Sequence, residues 1–420
     1  MDKNTEIKNT EESKDTKLSK DEIERYCRQM VLPEVGTENQ KKLMKSKVLI
    51  IGAGGLGAPT LLYLAGGGVG TLGIIDHDNV DHTNLHRQII HTTQNKGVNK
   101  AKSAAQAIQL LNPTTKVNAY EEKFTNKNCI EVCKDYDVLV DCSDNPQTRY
   151  LISDVAAILN LPLVSGSAVK WEGQLTIYNK DSTDKNDKSD VPCYRCMFPL
   201  ATPTSAICNC NDHGVFGPVP GLIGTLQASE TIKLIIGLKD KLLSKRMLFY
   251  DGLDTTFKLF TLRNKMPECI ACSSSATITK ENIKDYDYEE FVNPKLTKPP
   301  LRVELPAENK LKWVEFWKDY EKLSKDENVI LLDVRPSEQY NIHHIPNFIN
   351  LYLKELRKLE PTVLNEKFSK DKEIYVMCRK GNNSSHAAKL FLDNGYTKIH
   401  NLDDGMFEYQ KQINPDVPLY

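Results

Sequence analysis

GAGGLG, Gly52 to Gly57, lies between the apolar run KVLII (Lys47–Ile51) and a stretch that opens a helix over Ala58–Leu64. Strand, glycine-rich turn and helix in that order form a phosphate-approach unit. Glycines let the backbone come close to a ligand, and the helix start offers unpaired N–H groups and the positive end of its dipole. Gly54 and Gly55, at the centre of the turn, are the nucleotide-binding candidates. The next apolar strand, Thr71 to Asp76, ends on an acid roughly 20 residues further on, where such units bind ribose hydroxyls. On these residues alone an NAD-dependent oxidoreductase reads as well as an ATP enzyme.

Working outward, strands and helices alternate. Val98–Leu111 is a helix by its apolar spacing, Asp137–Cys142 (DVLVDC) and Leu163–Ser165 are buried strands, and Gly173–Tyr178 alternates like a half-buried one. This pattern predicts an α/β fold with a doubly wound, mainly parallel sheet. A second alternating unit begins near Leu311, with an amphipathic helix (LKWVEFWKDYEKL), the strands VILLDV and Ile374–Arg379, and a helix from Ser384 to Gly395. Residues 276–308, rich in Lys, Asp, Tyr and Pro with KPP at Lys298–Pro300, read as a linker. The expected organisation is a disordered tail over 1–20, a nucleotide domain over 21–275, that linker, and a small α/β domain over 309–420.

The bulk numbers exclude several classes. Fifty-five Lys and Arg against fifty-six Asp and Glu give no electrostatic reason for direct nucleic-acid binding. The N-terminus has neither the apolar core of a signal peptide nor the acid-poor character of a transit sequence. Val48–Ile75 is uncharged and long enough to span a bilayer, but nine glycines and Pro59 interrupt it. A cytoplasmic protein with no membrane partner is expected. Eleven cysteines in such a chain are then metal ligands, nucleophiles or packing residues rather than disulfides.

The chemistry-bearing residues cluster after the strands. Asp76, Asp78, Asn84 and Arg87 follow the second strand, Lys100 opens the next helix, and Asp144 follows DVLVDC. A dehydrogenase has no use for Arg and Lys converging on phosphate, whereas an enzyme building charge on an α-phosphate does. Asp144 is placed to hold magnesium. CYRC (Cys193, Cys196) and CIAC (Cys269, Cys272) are two CxxC pairs, the pattern of a closed, structural four-thiolate zinc site. Cys208 and Cys210 lie between proline-rich and glycine-rich segments; a loop cysteine there is either a nucleophile or a spare thiol. Cys378 ends a strand and begins CRKGNNS before a helix, a loop able to wrap backbone N–H groups around an anionic persulfide. Cys27, Cys129, Cys133 and Cys142, in helical or strand patterns, read as packing residues.

Together GAGGLG, DHDNVDHTNLHRQ, VNKAKS, DCSDNPQTRYL and the N-terminal RYCRQMVLPEVG resemble the ThiF/MoeB family, related to ubiquitin-activating enzymes. LLDVRPSEQYNIHHIPNFINL with CRKGNNS resembles a rhodanese domain. The resemblance implies that Asp76 holds the ATP ribose, that Arg87 and Lys100 hold its phosphates, and that Asp144 acts through Mg2+. It implies that Arg28 reaches into a partner subunit's ATP site, making a homodimer. It selects Cys210, a few residues before Gly214–Val215, over Cys208 as the loop nucleophile, and Cys378 as the persulfide carrier. The implied activity is adenylation of the C-terminal glycine of a ubiquitin-like carrier ending in Gly-Gly, followed by sulfur transfer to give a thiocarboxylate. The sulfur would come from an upstream persulfide donor such as a cysteine desulfurase or another rhodanese. The implied setting is thiolation of tRNA wobble uridines, with tRNA met only indirectly, and in some relatives molybdopterin synthesis. Ser384 stands where thiosulfate-using rhodaneses often carry Arg, and Asn383 where the fused family commonly has Asp. Purely conjugative activation of a ubiquitin-like protein and a non-catalytic scaffold are the other readings.

Overall fold

The strand that precedes the glycine turn lies at the centre of an eight-stranded sheet. Its strands are β1 (Lys47–Ile51), β2 (Thr71–Ile75), β3 (Lys116–Tyr120), β4 (Val138–Asp141), β5 (Leu163–Val169), β6 (Glu172–Tyr178), β7 (Arg246–Asp251) and β8 (Thr256–Thr261). They run in the order β3-β2-β1-β4-β5-β6-β7-β8. The first five are parallel, and β6, β7 and β8 continue the sheet antiparallel. Val48 to Ile51 and all of β4 are buried, as the central strands of a parallel sheet covered on both faces must be. The computed structural model describes residues 17–184, 186, 189–201, 214–293 and 302–418. The tail expected before residue 17, both loop cysteines Cys208 and Cys210, and the KPP segment lie outside the described residues.

The order of the strands places the site. From β1 the chain winds outward through β2 and β3, then returns to lay β4 on the other side of β1. The loops leaving the carboxyl ends of β1 and β4 therefore diverge, and a crevice opens between them. The helix Gly57–Gly66 packs on the sheet beside the long helix Pro218–Ile236, and both are lined with buried apolar residues.

The N-terminal helix starts at Lys20, at the end of the segment read as tail. Ser19 caps it: its Oγ accepts from the Glu22 N–H and the Glu22 carboxylate accepts from the Ser19 N–H.

The division of the chain differs from the expected linker. Its two units are residues 1–296 and 297–420. Within the first, Ile278, Ile283, Tyr288 and Val292 are buried in a core shared with the helix Pro146–Ile158. The segment lacks a helical or strand period because it is built of short turns and one five-residue helix, Tyr288–Val292, each supplying one or two apolar anchors. A buried ion pair fixes it. Arg195 Nε and Nη2 donate to the Asp154 carboxylate at 2.8 and 2.9 Å, and the Tyr288 hydroxyl donates to the same carboxylate at 2.7 Å. Tyr150, Tyr286, Tyr288 and Phe291 ring the guanidinium.

The second unit holds a five-stranded parallel sheet of β9 (Lys310–Leu311), β10 (Val329–Asp333), β11 (Ile349–Asn350), β12 (Glu373–Met377) and β13 (Ile399–Leu402), in the order β11-β10-β12-β13-β9. Trp313 and Phe316, on the amphipathic helix Trp313–Leu323, are buried in its core. None of the described helices is long and apolar enough to cross a membrane.

Tyr288→Phe removes one donor from a fully buried carboxylate and leaves the ring in place. A loss of about 1–3 kcal/mol is expected, confined to the unfolding transition of the first unit. Urea denaturation followed by fluorescence checks it, and an unchanged midpoint would mean that the hydroxyl carries no such load.

Candidate functional site

The glycine turn is shaped by contacts that leave no space for a side chain. Gly52 has φ +102°, and a Cβ there would lie 2.7 Å from the Cys142 carbonyl oxygen; one on Gly57 would lie 2.1 Å from the Gly52 carbonyl oxygen. Ala53 at the start of the turn is held from two sides. Its N–H donates to the Asp76 carboxylate at 2.8 Å, and its carbonyl accepts from His91 Nε2 at 2.9 Å. His91 Nδ1 meets Ser103 Oγ at 2.9 Å. Burial and the nearby Lys100 charge pull the His91 pKa below its ordinary value. The ring is therefore neutral at pH 7, with Nε2 carrying the proton and Nδ1 accepting from the serine.

A cavity of about 340 Å³ opens at the carboxyl ends of β1, β2 and β4. Of the residues expected to bind nucleotide, Gly54, Gly55, Asp76, Arg87, Lys100 and Asp144 all line it. Asn84 stands behind them: its Oδ1 accepts from Arg87 Nη2 at 2.8 Å and orients the guanidinium. Arg28 is exposed on the helix Lys20–Met30 and does not line the cavity of its own chain.

Lys100 is the first residue of the helix Lys100–Leu111 and is buried. A cation at a helix N-terminus opposes the dipole, so it needs anionic company. Asp78 supplies it at 2.9 Å. Burial raises the Asp78 pKa, but the hydrogen bond and charge of Lys100 outweigh it and hold the carboxyl below the usual range. Asn99 locks this geometry: its Oδ1 caps the helix at the Ala101 N–H, and its Nδ2 donates to the Asp76 and Asp78 carbonyls. Asp144 stands exposed on the rim one residue before Asn145, whose side chain caps the helix Pro146–Ile158. The Asp144 carboxylate accepts no hydrogen bond from the described residues, which leaves its oxygens available to a divalent cation.

Sequence reasoning missed three residues here. Gln88 and Arg149 line the cavity, and His91 lies beneath the turn. Arg149 donates to the Ser143 and Gly166 carbonyls and faces buried Asp141 at 3.5 Å, so it braces the loop that carries Asp144. Both Gln88 and Arg149 stand inside quoted motifs, HRQ and DNPQTR, but nothing in spacing separates them from neighbouring polar residues.

The four CxxC cysteines converge. Sγ–Sγ separations are 3.7 Å for Cys193–Cys196, 3.6 Å for Cys193–Cys269 and 3.5 Å for Cys196–Cys272. These are far beyond a disulfide bond and close to the edge, about 3.8 Å, of a tetrahedron with metal–sulfur distances of about 2.3 Å. The Met266 N–H also donates to Cys196 Sγ at 3.3 Å, as suits a sulfur carrying negative charge. The cluster could hold one metal ion with no open position. Cys129, Cys133 and Cys142 are buried free thiols with pKa values raised by burial, as packing residues should be, although Cys142 also lines the cavity.

In the second unit Cys378 follows β12 and is buried, its Sγ 3.4 Å from Ser384 Oγ. Gly381, at φ +80°, turns the chain into the helix Asn382–Asp393. Gly405 packs so close that a Cβ would lie 2.1 Å from the Cys378 carbonyl oxygen. Arg379 and Lys380 both lie over the Phe407 ring. The His343 carbonyl accepts from Arg335, which forks onto buried Asp333.

The depressed His91 pKa sets a pH dependence. Its folded-state value lies below its unfolded one, so the stability it supports is complete above about pH 6.5 and is lost as pH falls through the folded value. His91→Gln should flatten the fall in stability of the first unit between pH 7 and 5.5. Denaturation midpoints of both proteins across that range check it; parallel curves would remove His91 from the account.

The ThiF family model matches residues 26–271, and the rhodanese-like domain model matches 316–412. The chain is 44% identical over 418 residues to "Adenylyltransferase and sulfurtransferase MOCS3" of Arabidopsis thaliana, covering 96% of this chain and 86% of that protein. It is 40% identical to the Kluyveromyces lactis "Adenylyltransferase and sulfurtransferase UBA4", covering 97% of this chain and 91% of that one. Among solved structures, Escherichia coli MccB with ATP superposes with a TM-score of 0.51 at 20% identity, over 59% of this chain and 73% of its own, a likeness of fold. The chain belongs to the ThiF family and carries a rhodanese-like domain behind it.

Proposed function

We propose that the enzyme adenylates the C-terminal glycine of a ubiquitin-like carrier with ATP and then converts it to a thiocarboxylate with sulfur from a Cys378 persulfide. The observation that carries this reading is the convergence of Gly54, Gly55, Asp76, Arg87, Lys100 and Asp144 on one cavity. The names of the relatives, adenylyltransferase and sulfurtransferase, support the pairing of activities.

In the first step a carrier carboxylate oxygen attacks the α-phosphorus of ATP, the bond to the β-phosphate bridge breaks, and pyrophosphate leaves. Arg87 and Lys100 counter the charge that builds on the phosphates; away from bulk water such fixed cations act more strongly. Asp76 takes the ribose hydroxyls, and the carboxylate of Asp144 would hold Mg2+, whose charge would offset that of the phosphates. Lys100 is shared with Asp78, so it is already held in place when nucleotide enters.

In the second step the outer sulfur of the persulfide attacks the acyl carbon and AMP leaves. That leaves an acyl disulfide on Cys378. The Cys210 thiolate attacks its Cys378 sulfur, and a Cys210–Cys378 disulfide forms as the thiocarboxylated carrier leaves. An external thiol reduces that disulfide before the next cycle. The four-thiolate site holds one structural Zn2+. Arg28, exposed on its own chain, reaches the ATP site of a second copy in a homodimer. The sulfur reaches Cys378 from an upstream persulfide donor in the cytoplasm, and the product serves tRNA wobble-uridine thiolation.

Two measurements test this. The protein, Mg-ATP, thiosulfate or a persulfide donor, and a carrier ending in Gly-Gly are combined, and the intact carrier is weighed. A gain equal to replacing one oxygen by sulfur is expected, absent without ATP and in Cys378→Ala, while that variant keeps full pyrophosphate exchange. Loss of exchange in Cys378→Ala would overturn the division of labour. Metal analysis should give one zinc per chain. Cys196→Ser should lose it and lower the melting temperature of the first unit by several degrees, and a metal-free wild-type protein of equal stability would refute the structural role.

A further inference from the structure

The Arg87 guanidinium is held by three acceptors from its own turn. Nη2 donates to Asn84 Oδ1 at 2.8 Å, while Nη1 donates to the Thr83 carbonyl at 3.2 Å and meets His86 Nε2 at 2.7 Å. The His86 contact is the shortest of the three, and it alone depends on protonation. A guanidinium carries only N–H groups, so Nε2 must present its lone pair and the ring proton must sit on Nδ1. An imidazolium has no lone pair to offer, and it repels a cation at that distance. The Thr83 and Asn84 oxygens accept whatever the pH.

The backbone beneath the ring is pinned. A Cβ on Gly217 would lie 2.6 Å from the His86 carbonyl oxygen and 3.6 Å from Arg87 Cβ, and one on Gly55 would lie 3.1 Å from Pro220 Cβ. The start of the helix Pro218–Ile236 thus closes on His86, Arg87 and the glycine turn together, and the ring meets the guanidinium from a fixed backbone. Arg87 lines the cavity, whereas the His86 side chain is exposed outside it, where solvent protons reach it. Arg87 is the charged group that acts on the ring. The Asp81 carboxylate on the same turn accepts from Thr83, Lys100 pairs with Asp78, and residues 214–224 include no titratable side chain. Partial burial and the guanidinium pull the His86 pKa below its ordinary 6.5, so the ring is neutral, and an acceptor, at pH 7.5. We infer that His86 is a positioning residue: its neutral Nε2 holds the Arg87 guanidinium against the phosphates of the bound nucleotide, and protonating the ring releases that hold. This rests on the reading of the cavity as an ATP site and makes its grip on phosphate sensitive to acid.

The test is calorimetric binding of Mg-ATP to the full-length protein from pH 7.5 down to 5.5. At pH 7.5 His86→Leu, which removes the acceptor, should raise Kd about three- to tenfold. His86→Gln, whose amide oxygen accepts without titrating, should recover the wild-type value to within about twofold. As the pH falls, the wild-type Kd should climb towards that of His86→Leu, while His86→Gln comes to bind more tightly than the wild type. Protonation of the nucleotide is common to all three proteins and cancels in their ratios. In an Arg87→Gln background His86→Leu should add no further loss, because the contact it removes is already gone. The assignment is overturned if His86→Leu binds as tightly as the wild type at pH 7.5, or if His86→Gln restores nothing. Parallel pH profiles for His86→Gln and the wild type would overturn it too, as would losses that multiply in the double variant. Wild-type protein that binds no Mg-ATP at any pH would remove the nucleotide reading itself, and this contact with it. Binding without these differences would remove only the contact.

Discussion

Backbone against backbone is the constraint on which the site depends. The turn after β1 leaves no room for a Cβ at Gly52 or Gly57, because carbonyl oxygens of Cys142 and Gly52 occupy that space. Cys142 begins the loop after β4, so the glycines bring the two diverging loops of the switch point within contact of each other. Everything that lines the cavity is positioned from there. Asp76 and His91 grip Ala53 from opposite sides, and both are tied onward: His91 to Ser103 in the helix that Lys100 begins, and Asp76, through its carbonyl, to the cap of that helix, Asn99. Asp76, Lys100 and the glycine turn thus form one hydrogen-bonded unit.

That unit explains how two cations are held side by side in one pocket. Lys100 is unfavourable at its helix terminus, and the carboxylate of Asp78 offsets it, at the cost of being shared once phosphates arrive. Arg87 leans on Asn84, the Thr83 carbonyl and His86. The neutral His86 this contact requires fits a pKa depressed by burial and by the guanidinium. Electrostatic catalysis needs charges that do not reorganise during the reaction, and these contacts hold them still beforehand.

How much of this was legible in sequence follows from what each signal depends on. The central parallel strands were readable because burial on both faces demands continuous apolar runs, and the convergence of Gly54, Gly55, Asp76, Arg87, Lys100 and Asp144 on one cavity because they sit at fixed offsets from strand ends. The β7–β8 hairpin was not read: its outer strand is exposed throughout, so it carries no core pattern. Residues 276–293 read as linker because irregular turns anchor them, and such anchors have no period. Gln88, Arg149 and His91 act through what the fold brings beside them. A lone Gln or His has no spacing partner in the chain, so only the structure separates Gln88 from Gln94 or His91 from His82.

The cysteine cluster shows why two distant CxxC pairs belong to an adenylating domain at all. Between Cys193 and Cys196 stand Tyr194 and Arg195, and the carboxylate partner of Arg195, Asp154, lies on the helix that begins just after Asp144. Breaking a buried pair by removing one partner is far costlier than the pair is worth, so the knuckle and the helix must keep register. The second CxxC pair comes from beyond β8, and the segment following it supplies Tyr288 to the same carboxylate. A metal closing the four thiolates would hold Arg195 over Asp154, and through that helix the loop of Asp144. Cys208 and Cys210 fall in the sequence between Ala201 and Gly214. That stretch of sequence starts a few residues past this knuckle and ends where Lys170 bonds the Gly214 carbonyl. The cluster therefore anchors the chain just before residue 202, and it fixes that anchor to the helix that follows Asp144.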